Sequence, residues 1–172
     1  ALSSLPHIQD FPAISYLTKN ELIPPDSVII PGYCGDVLGG TLLPSKTFFL
    51  DQKINKSLLL NYMYETKYSF FNDKSSFKGF RDSVVSGLGN DYSDINDEYT
   101  FIDAYELWVI KNHLSKFIIN SVRFFEHFGY QWRLPLWDIE IVNYWNSVDP
   151  ALKREGMYDN FLLNNIFKQF KV

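Results

Sequence analysis

Within nine residues the chain places four glycines, Gly32, Gly35, Gly39 and Gly40, directly after the β-branched run Val28-Ile29-Ile30 and Pro31. A consecutive β-branched run bounded by turn formers predicts a short buried strand over 27–31. Glycines let the backbone that follows turn sharply or approach another group closely, so the strand should end in a tight glycine-built bend. Two uses of that bend are open. In an open α/β sheet, ligands bind at the carboxyl ends of strands, where backbone amides and Asp36 can face phosphate oxygens and a bridging magnesium ion. The alternative is a turn that needs positive φ, with Asp36 as a turn or cap residue. Neither named phosphate loop applies, because no Lys-Ser/Thr follows and the spacing G-x-G-x-x-G is absent.

The rest of the chain reads as helix, which makes the fold class mainly α around one short strand. Asp10 before Phe11-Pro12 predicts a capped helix start with proline in the first turn, and that helix should end before Pro24-Pro25. Helical periodicity predicts helices over 50–68 and 75–89, a polar loop over 89–98, and a long helix from Glu98 to Phe128 stopped by Gly129. On that helix Leu114, Ile118, Ser121 and Phe125 share a side and should face the core. A helix over 138–146, a start at Asp149-Pro150 and a final helix over 157–170 complete the chain.

At 172 residues the chain is long enough for one domain with a real core, or for one large piece of a bigger domain. Its 17% aromatic content predicts a thick core or a large covered face. A net charge of −4, with Lys and Arg scattered, lacks the electrostatic footprint of a nucleic-acid binder. No apolar run reaches the length needed to cross a bilayer, no secretory signal is legible at the start, and the single cysteine cannot form an internal disulfide. A reduced, cytoplasmic protein fits these features.

Several residues admit a chemical and a structural use. Lys116, Asn120, Arg123 and His127 follow offsets of i, i+4, i+7 and i+11, forming one polar stripe. A solvated face is the usual explanation, but Phe117, Ile119 and Phe124 beside it leave a phosphate-facing or interface-facing stripe open. Arg133 can pair with Asp138 to fix a turn. His7, His113 and His127 lack metal-ligand spacing with one another or with Cys34. Cys34 is a nucleophile only if a histidine reaches it, and otherwise a small buried filler. Asp91, Asp94, Asp97 and Glu98 have no EF-hand spacing and read as a solvated loop.

Two separated stretches resemble one family. "GYCGDVLGG" (32–40) is similar to the G-x-G-x-D-E-x-x-G-G loop of asparagine synthetases and β-lactam synthetases. "FGYQWRLPLWDIEIVNYWNSVDPALKREGMYDNFLLNNIF" (128–167) resembles their G-x-E-x-R-x-P-F-L-D segment and the helices after it. The resemblance implies the helical carboxyl-terminal part of an α/β domain of the adenine nucleotide alpha-hydrolase type. It also implies ATP and Mg2+ as cofactors, a small-molecule carboxylate substrate activated by adenylation, and amide formation. Gly32, Gly35 and Asp36 would face pyrophosphate and the metal, with Lys116, Asn120 and Arg123 as further pyrophosphate-side or catalytic groups. Arg133, Pro135 and Asp138 would support the segment behind the site.

Differences from the family pattern are equally definite. The loop is one residue shorter, Tyr33 and Val37 stand where the family has acids, and Met157 stands where it has a lysine, with Lys153 and Arg154 one helical turn away. The S-G-G-x-D-S loop that binds ATP phosphates and the glutaminase cysteine are absent from these residues. With no initiator Met, the chain reads as the carboxyl-terminal part of a longer enzyme, inactive alone, whose partner is its own amino-terminal synthetase half. The aromatic excess, including the four tryptophans, is mostly core by default, but some of these rings should then lie on a surface meant to be covered, where association with a second copy is a further option. The variant loop and "SSLPHIQDFPA" before it look closer to synthetase-like proteins of O-antigen and other surface-polysaccharide synthesis. The rival reading is a non-catalytic helical module that keeps the scaffold and binds a protein.

Overall fold

The computed structural model describes residues 10–68, 74–88, 94–154 and 156–170. In chain order the elements are α1 (Phe11–Lys19), β1 (Val28–Ile29), α2 (Gly35–Leu38), a 3-10 turn (Lys46–Phe49), α3 (Lys56–Lys67), α4 (Lys74–Leu88) and α5 (Glu98–Trp108). A π-helical stretch (Val109–Ile118) leads to α6 (Ile119–Ser121), α7 (Phe124–His127), β2 (Gln131–Trp132) and a 3-10 turn (Pro135–Trp137). Then come α8 (Ile139–Asn146), α9 (Pro150–Lys153), α10 (Met157–Phe161), a π-helical turn (Leu162–Ile166) and a 3-10 turn (Phe167–Phe170). The chain is mainly helical. It divides into two compact units, Ala1–Leu43 with Ile110–Val172, and Pro44–Val109.

The first unit is organised by its only described strands. β1 and β2 pair in parallel, Val28 opposite Gln131 and Ile29 opposite Trp132, and the Arg133 amide extends the ladder to the Ile29 carbonyl at 2.9 Å. Successive strand residues point to opposite faces. Ile29 therefore turns toward the buried cluster Val122, Phe125 and Tyr130, with Ile14, Ile23, Tyr33 and Trp132 packed around it. Val28 and Ile30 turn the other way and are 47% and 64% exposed. The expected buried strand over 27–31 is thus corrected on two counts: it is a two-residue strand half open on one face, and it has a partner strand.

The second unit packs α3, α4 and α5 around aromatic rings. Leu59, Met63, Phe101 and Ile102 are fully buried. Phe101 meets the rings of Phe48, Phe49 and Tyr62 at centroid distances of 5.9, 5.2 and 5.9 Å. α3 begins at Lys56, later than the expected 50, because Asn55 caps it by accepting the Leu58 amide at 3.0 Å. Asp97 starts α5 through a capping box with Thr100: its carboxylate accepts the Thr100 amide at 2.8 Å while the Thr100 hydroxyl turns back to the Asp97 amide. The Thr100 amide, joined by the Thr100 hydroxyl donating to the same carboxylate at 2.8 Å, holds the Asp97 carboxyl below the usual carboxylate range. Of the predicted polar loop, residues 89–93, with Asp91, lie outside the described residues, as does His7.

The expected unbroken helix from Glu98 to Phe128 is corrected as well. It is α-helical to Trp108, π-helical to Ile118, and interrupted at Val122 and Arg123 before α7. Ser115 and Ser121 each donate a side-chain hydroxyl to the carbonyl four residues back, Lys111 and Phe117, a bond that bends helices. Gly129 ends α7 with φ +83°. The expected core side holds at Leu114, Ser121 and Phe125, which are buried, while Ile118 is half-buried. At the other end, Asp10 occupies the cap position of α1 in helical backbone without capping it. Its carboxylate instead accepts the hydroxyl of Tyr33.

Candidate functional site

The glycine segment folds as a bend, then one turn of helix. Cys34 takes the left-handed conformation with φ +77° and α2 starts after it, so the strained position falls on a cysteine rather than on one of the glycines beside it. Among the four glycines only Gly40 has positive φ, +76°. The bend closes on itself: the amides of Leu38, Gly39, Gly40 and Thr41 donate to the carbonyls of Cys34, Gly35, Val37 and Asp36 at 3.2, 2.8, 3.1 and 3.0 Å. Those four amides are unavailable to a phosphate, which leaves only the amides at the start of the turn to meet one.

Gly40 is where the backbone must come close to a neighbour. A Cβ there would lie 2.6 Å from both the Cβ and the carbonyl oxygen of Lys153, a separation real side chains do not reach. A methyl on Gly32, by contrast, would meet no heavy atom within 4 Å. Lys153 and Arg154, expected near the position of the family's lysine, are 2% and 6% exposed. Long cationic side chains are rarely buried without polar company, and the tight seat of Lys153 against Gly40 shows that the bend and the α9 segment are built as one piece.

The outer side of the bend lines a cavity of about 290 Å3 with Gly35, Asp36, Leu38, Gly39, Thr41, Leu136, Trp145, Tyr158 and Asp159. Four elements meet there: the bend, the Pro135–Trp137 turn, α8 and α10. Gly35 approaches Leu136 of the Pro135–Trp137 turn, its would-be Cβ lying 3.3 Å from the leucine Cδ1. Trp145 on α8 and Tyr158 on α10 meet edge to face, ring centroids 5.9 Å apart at 87°. Asp36 and Asp159 supply two carboxylates, and no Lys, Arg or His stands among the described lining residues. Its lining thus combines two acidic residues with aromatic and aliphatic ones.

Of the residues expected at a pyrophosphate site, Gly35 and Asp36 line this cavity, whereas Gly32, Lys116, Asn120 and Arg123 do not. Lys116 donates to Asn112 Oδ1 at 2.7 Å and Arg123 pairs with Glu126 at 3.3 Å, both on the surface. Glu126 also accepts the Trp132 indole at 3.2 Å, so this part of the polar stripe knits the helix surface to β2. Arg133 and Asp138 do not pair with each other. Arg133 donates to the carbonyl of Trp132 at 2.8 Å and to Gln131 at 3.3 Å, while Asp138 caps α8 through the Glu140 amide at 2.9 Å. Leu136, Trp145, Tyr158 and Asp159 are not legible in the sequence as site residues, because nothing local distinguishes a lining ring from a core ring.

Cys34 is buried, and desolvation, with the nearby Asp36 charge adding to it, pushes its thiol up from 9.0 to about 12. A thiol so protected is a filler and a poor nucleophile. Alkylation by iodoacetamide at pH 8 should be at least tenfold slower in the native protein than in urea; equal rates would refute the assignment. Because the native state holds the proton more tightly, the associated stability is full below pH 9 and declines as pH rises from 9 through about 12.

Among the described residues no group of three or more His, Cys, Asp or Glu gathers as a metal cluster, and no helix is long and apolar enough to cross a membrane. No protein-family model, no curated protein and no solved structure matches the chain.

Proposed function

We propose that this chain is the carboxyl-terminal, pyrophosphate-side part of an ATP-dependent, asparagine-synthetase-like amide-forming enzyme. The observation that carries the reading is convergence: the two separated stretches that resemble the family, 32–40 and 128–167, meet at one cavity through Gly35, Asp36, Leu136, Trp145 and Asp159. The parallel pairing of β1 with β2 holds them together. A bend facing a cleft at the carboxyl end of a parallel strand is also where α/β folds take ligands.

The donors suit magnesium. Mg2+ prefers hard oxygen ligands and keeps water and substrate phosphate in its shell, so one carboxylate and a hydroxyl, Asp36 and Thr41, suffice on the protein side. The metal would neutralise charge on departing pyrophosphate; that function is required here, since bare pyrophosphate would meet two carboxylates. Residues outside this stretch would supply the ATP phosphate loop, and the enzyme would work in the cytoplasm, where ATP is made. Amide formation on sugar acids of surface polysaccharides is the narrower proposal, resting on residues 3–13 and the shortened loop.

In the chain joined to its amino-terminal half, carboxylate-dependent exchange between ATP and pyrophosphate should fall about 100-fold in Asp36→Ala, the size expected for losing one electrostatic group at the reacting centre. Unchanged exchange would remove Asp36 from the chemistry. An absence of exchange with every carboxylate tried would overturn the reading.

One observation favours a protein-binding module instead. Phe161, Leu163, Phe167 and Phe170 in the last helical segment are 54%, 59%, 46% and 67% exposed. A partner protein covering these side chains would bury them, while Trp108 is already buried and Trp132, Trp137 and Trp145 are half-buried. An in-frame S-G-G-x-D-S in the coding sequence upstream of Leu2 separates the two: its presence supports the enzyme, and a natural start codon nearby supports the module.

A further inference from the structure

We infer that the aromatic end of the cavity, formed by Trp145, Tyr158 and Asp159, is a binding site for a small organic ammonium ion. The inference goes beyond the amide-forming reading and does not depend on ATP. Trp145 and Tyr158 both line the cavity and meet edge to face, at 87° with centroids 5.9 Å apart, so their ring planes differ in direction by nearly a right angle. A cation within about 6 Å of a ring centroid is drawn to the negative face of the π system, most strongly to tryptophan. Asp159 follows Tyr158 in the chain and lines the same cavity. No hydrogen bond or ion pair from a described residue reaches its carboxylate, nor that of Asp36.

Other ligand classes fit this end less well. A bare divalent ion gains nothing from the two rings or from Leu136. A free phosphate or carboxylate would meet two negative charges with no basic lining residue to offset them. A neutral apolar ligand would cover the carboxylates and strip their water without a counter-charge, which is unfavourable. An alkylammonium ion satisfies both halves of the lining, its charge facing Asp159 and its carbons the rings and Leu136. At about 290 Å3 the cavity sits at the lower limit of ordinary ligand pockets, which selects a compact amine. Where Asp36 holds magnesium, as in the amide-forming reading, Asp159 remains the partner of the amine.

The test is a titration of the protein without ATP, following the indole N–H resonance of Trp145, assigned by its loss in Trp145→Phe. Butylammonium chloride should shift this resonance saturably in the millimolar range, and 1-butanol at the same concentrations should not. Asp159→Asn should weaken the response at least tenfold with an unchanged far-ultraviolet spectrum, since Asp159 is exposed. Tyr158→Leu, which keeps the carboxylate and removes one ring, should weaken it as well. Equal responses to butanol and butylammonium, a response insensitive to both substitutions, or displacement of butylammonium by equimolar magnesium chloride would each overturn the inference. None of these outcomes depends on ATP–pyrophosphate exchange, so the site and the amide-forming reading stand or fall separately.

Discussion

Replacing Gly40 by alanine should destabilise the unit formed by residues 1–43 and 110–172 by about 2 to 5 kcal/mol. About 1 to 2 kcal/mol comes from holding an L side chain in left-handed backbone, the conformation set by φ +76°. A further 1 to 3 kcal/mol, roughly, comes from forcing an atom into a filled space. The space is filled by the Cβ and carbonyl oxygen of Lys153, 2.6 Å from the new methyl, and by its carbonyl carbon at 2.8 Å. Backbone atoms cannot swing aside as the tip of a long side chain can. Gly32→Ala is the matched control: it stands in the same glycine segment, has nothing within 4 Å and is not held at positive φ. Its effect should stay within about 0.5 kcal/mol, the range of ordinary surface changes. Urea titrations of the two variants give the comparison directly, and equal losses would show that the bend can move away from α9.

Phe101→Ala should cost the unit of residues 44–109 about 3 to 5 kcal/mol, the range for truncating a buried phenylalanine. Phe101 is wholly buried and is the ring that Phe48, Phe49 and Tyr62 all face. Its removal leaves a cavity between the Lys46–Phe49 turn, α3 and α5, which relaxation would fill only in part. Amide exchange should rise throughout α3 and α5 while amides near Val122 and Phe125 hold their protection, because those belong to the other unit's core. Tyr99→Ala, two residues away on the same helix and 57% exposed, should change stability little. If both variants lose equally, Phe101 is not the centre of that core.

Much of the local architecture follows from residue types in sequence. Asp149 before Pro150 starts α9 with its carboxylate on the Ala151 amide at 2.8 Å. Asp138 starts α8 and Gly129 ends α7 for the same kind of local reason, since caps and left-handed stops depend on only a few neighbouring groups. Helix ends driven by longer competition are less legible. The helix expected from 50 begins at Lys56, and the stretch that reads as one helix from 98 changes to π geometry at Val109.

Chain chemistry alone therefore settled that a β-branched run ends in a glycine bend, that helices dominate, and where most of them begin, because each of these rests on backbone preferences within a few residues. It left undetermined which glycine is indispensable and what Asp36 faces. Those outcomes depend on which distant backbone arrives alongside. Lys153 comes from the other end of the first unit to press on Gly40, and Tyr158 and Asp159 come with it to close the cavity.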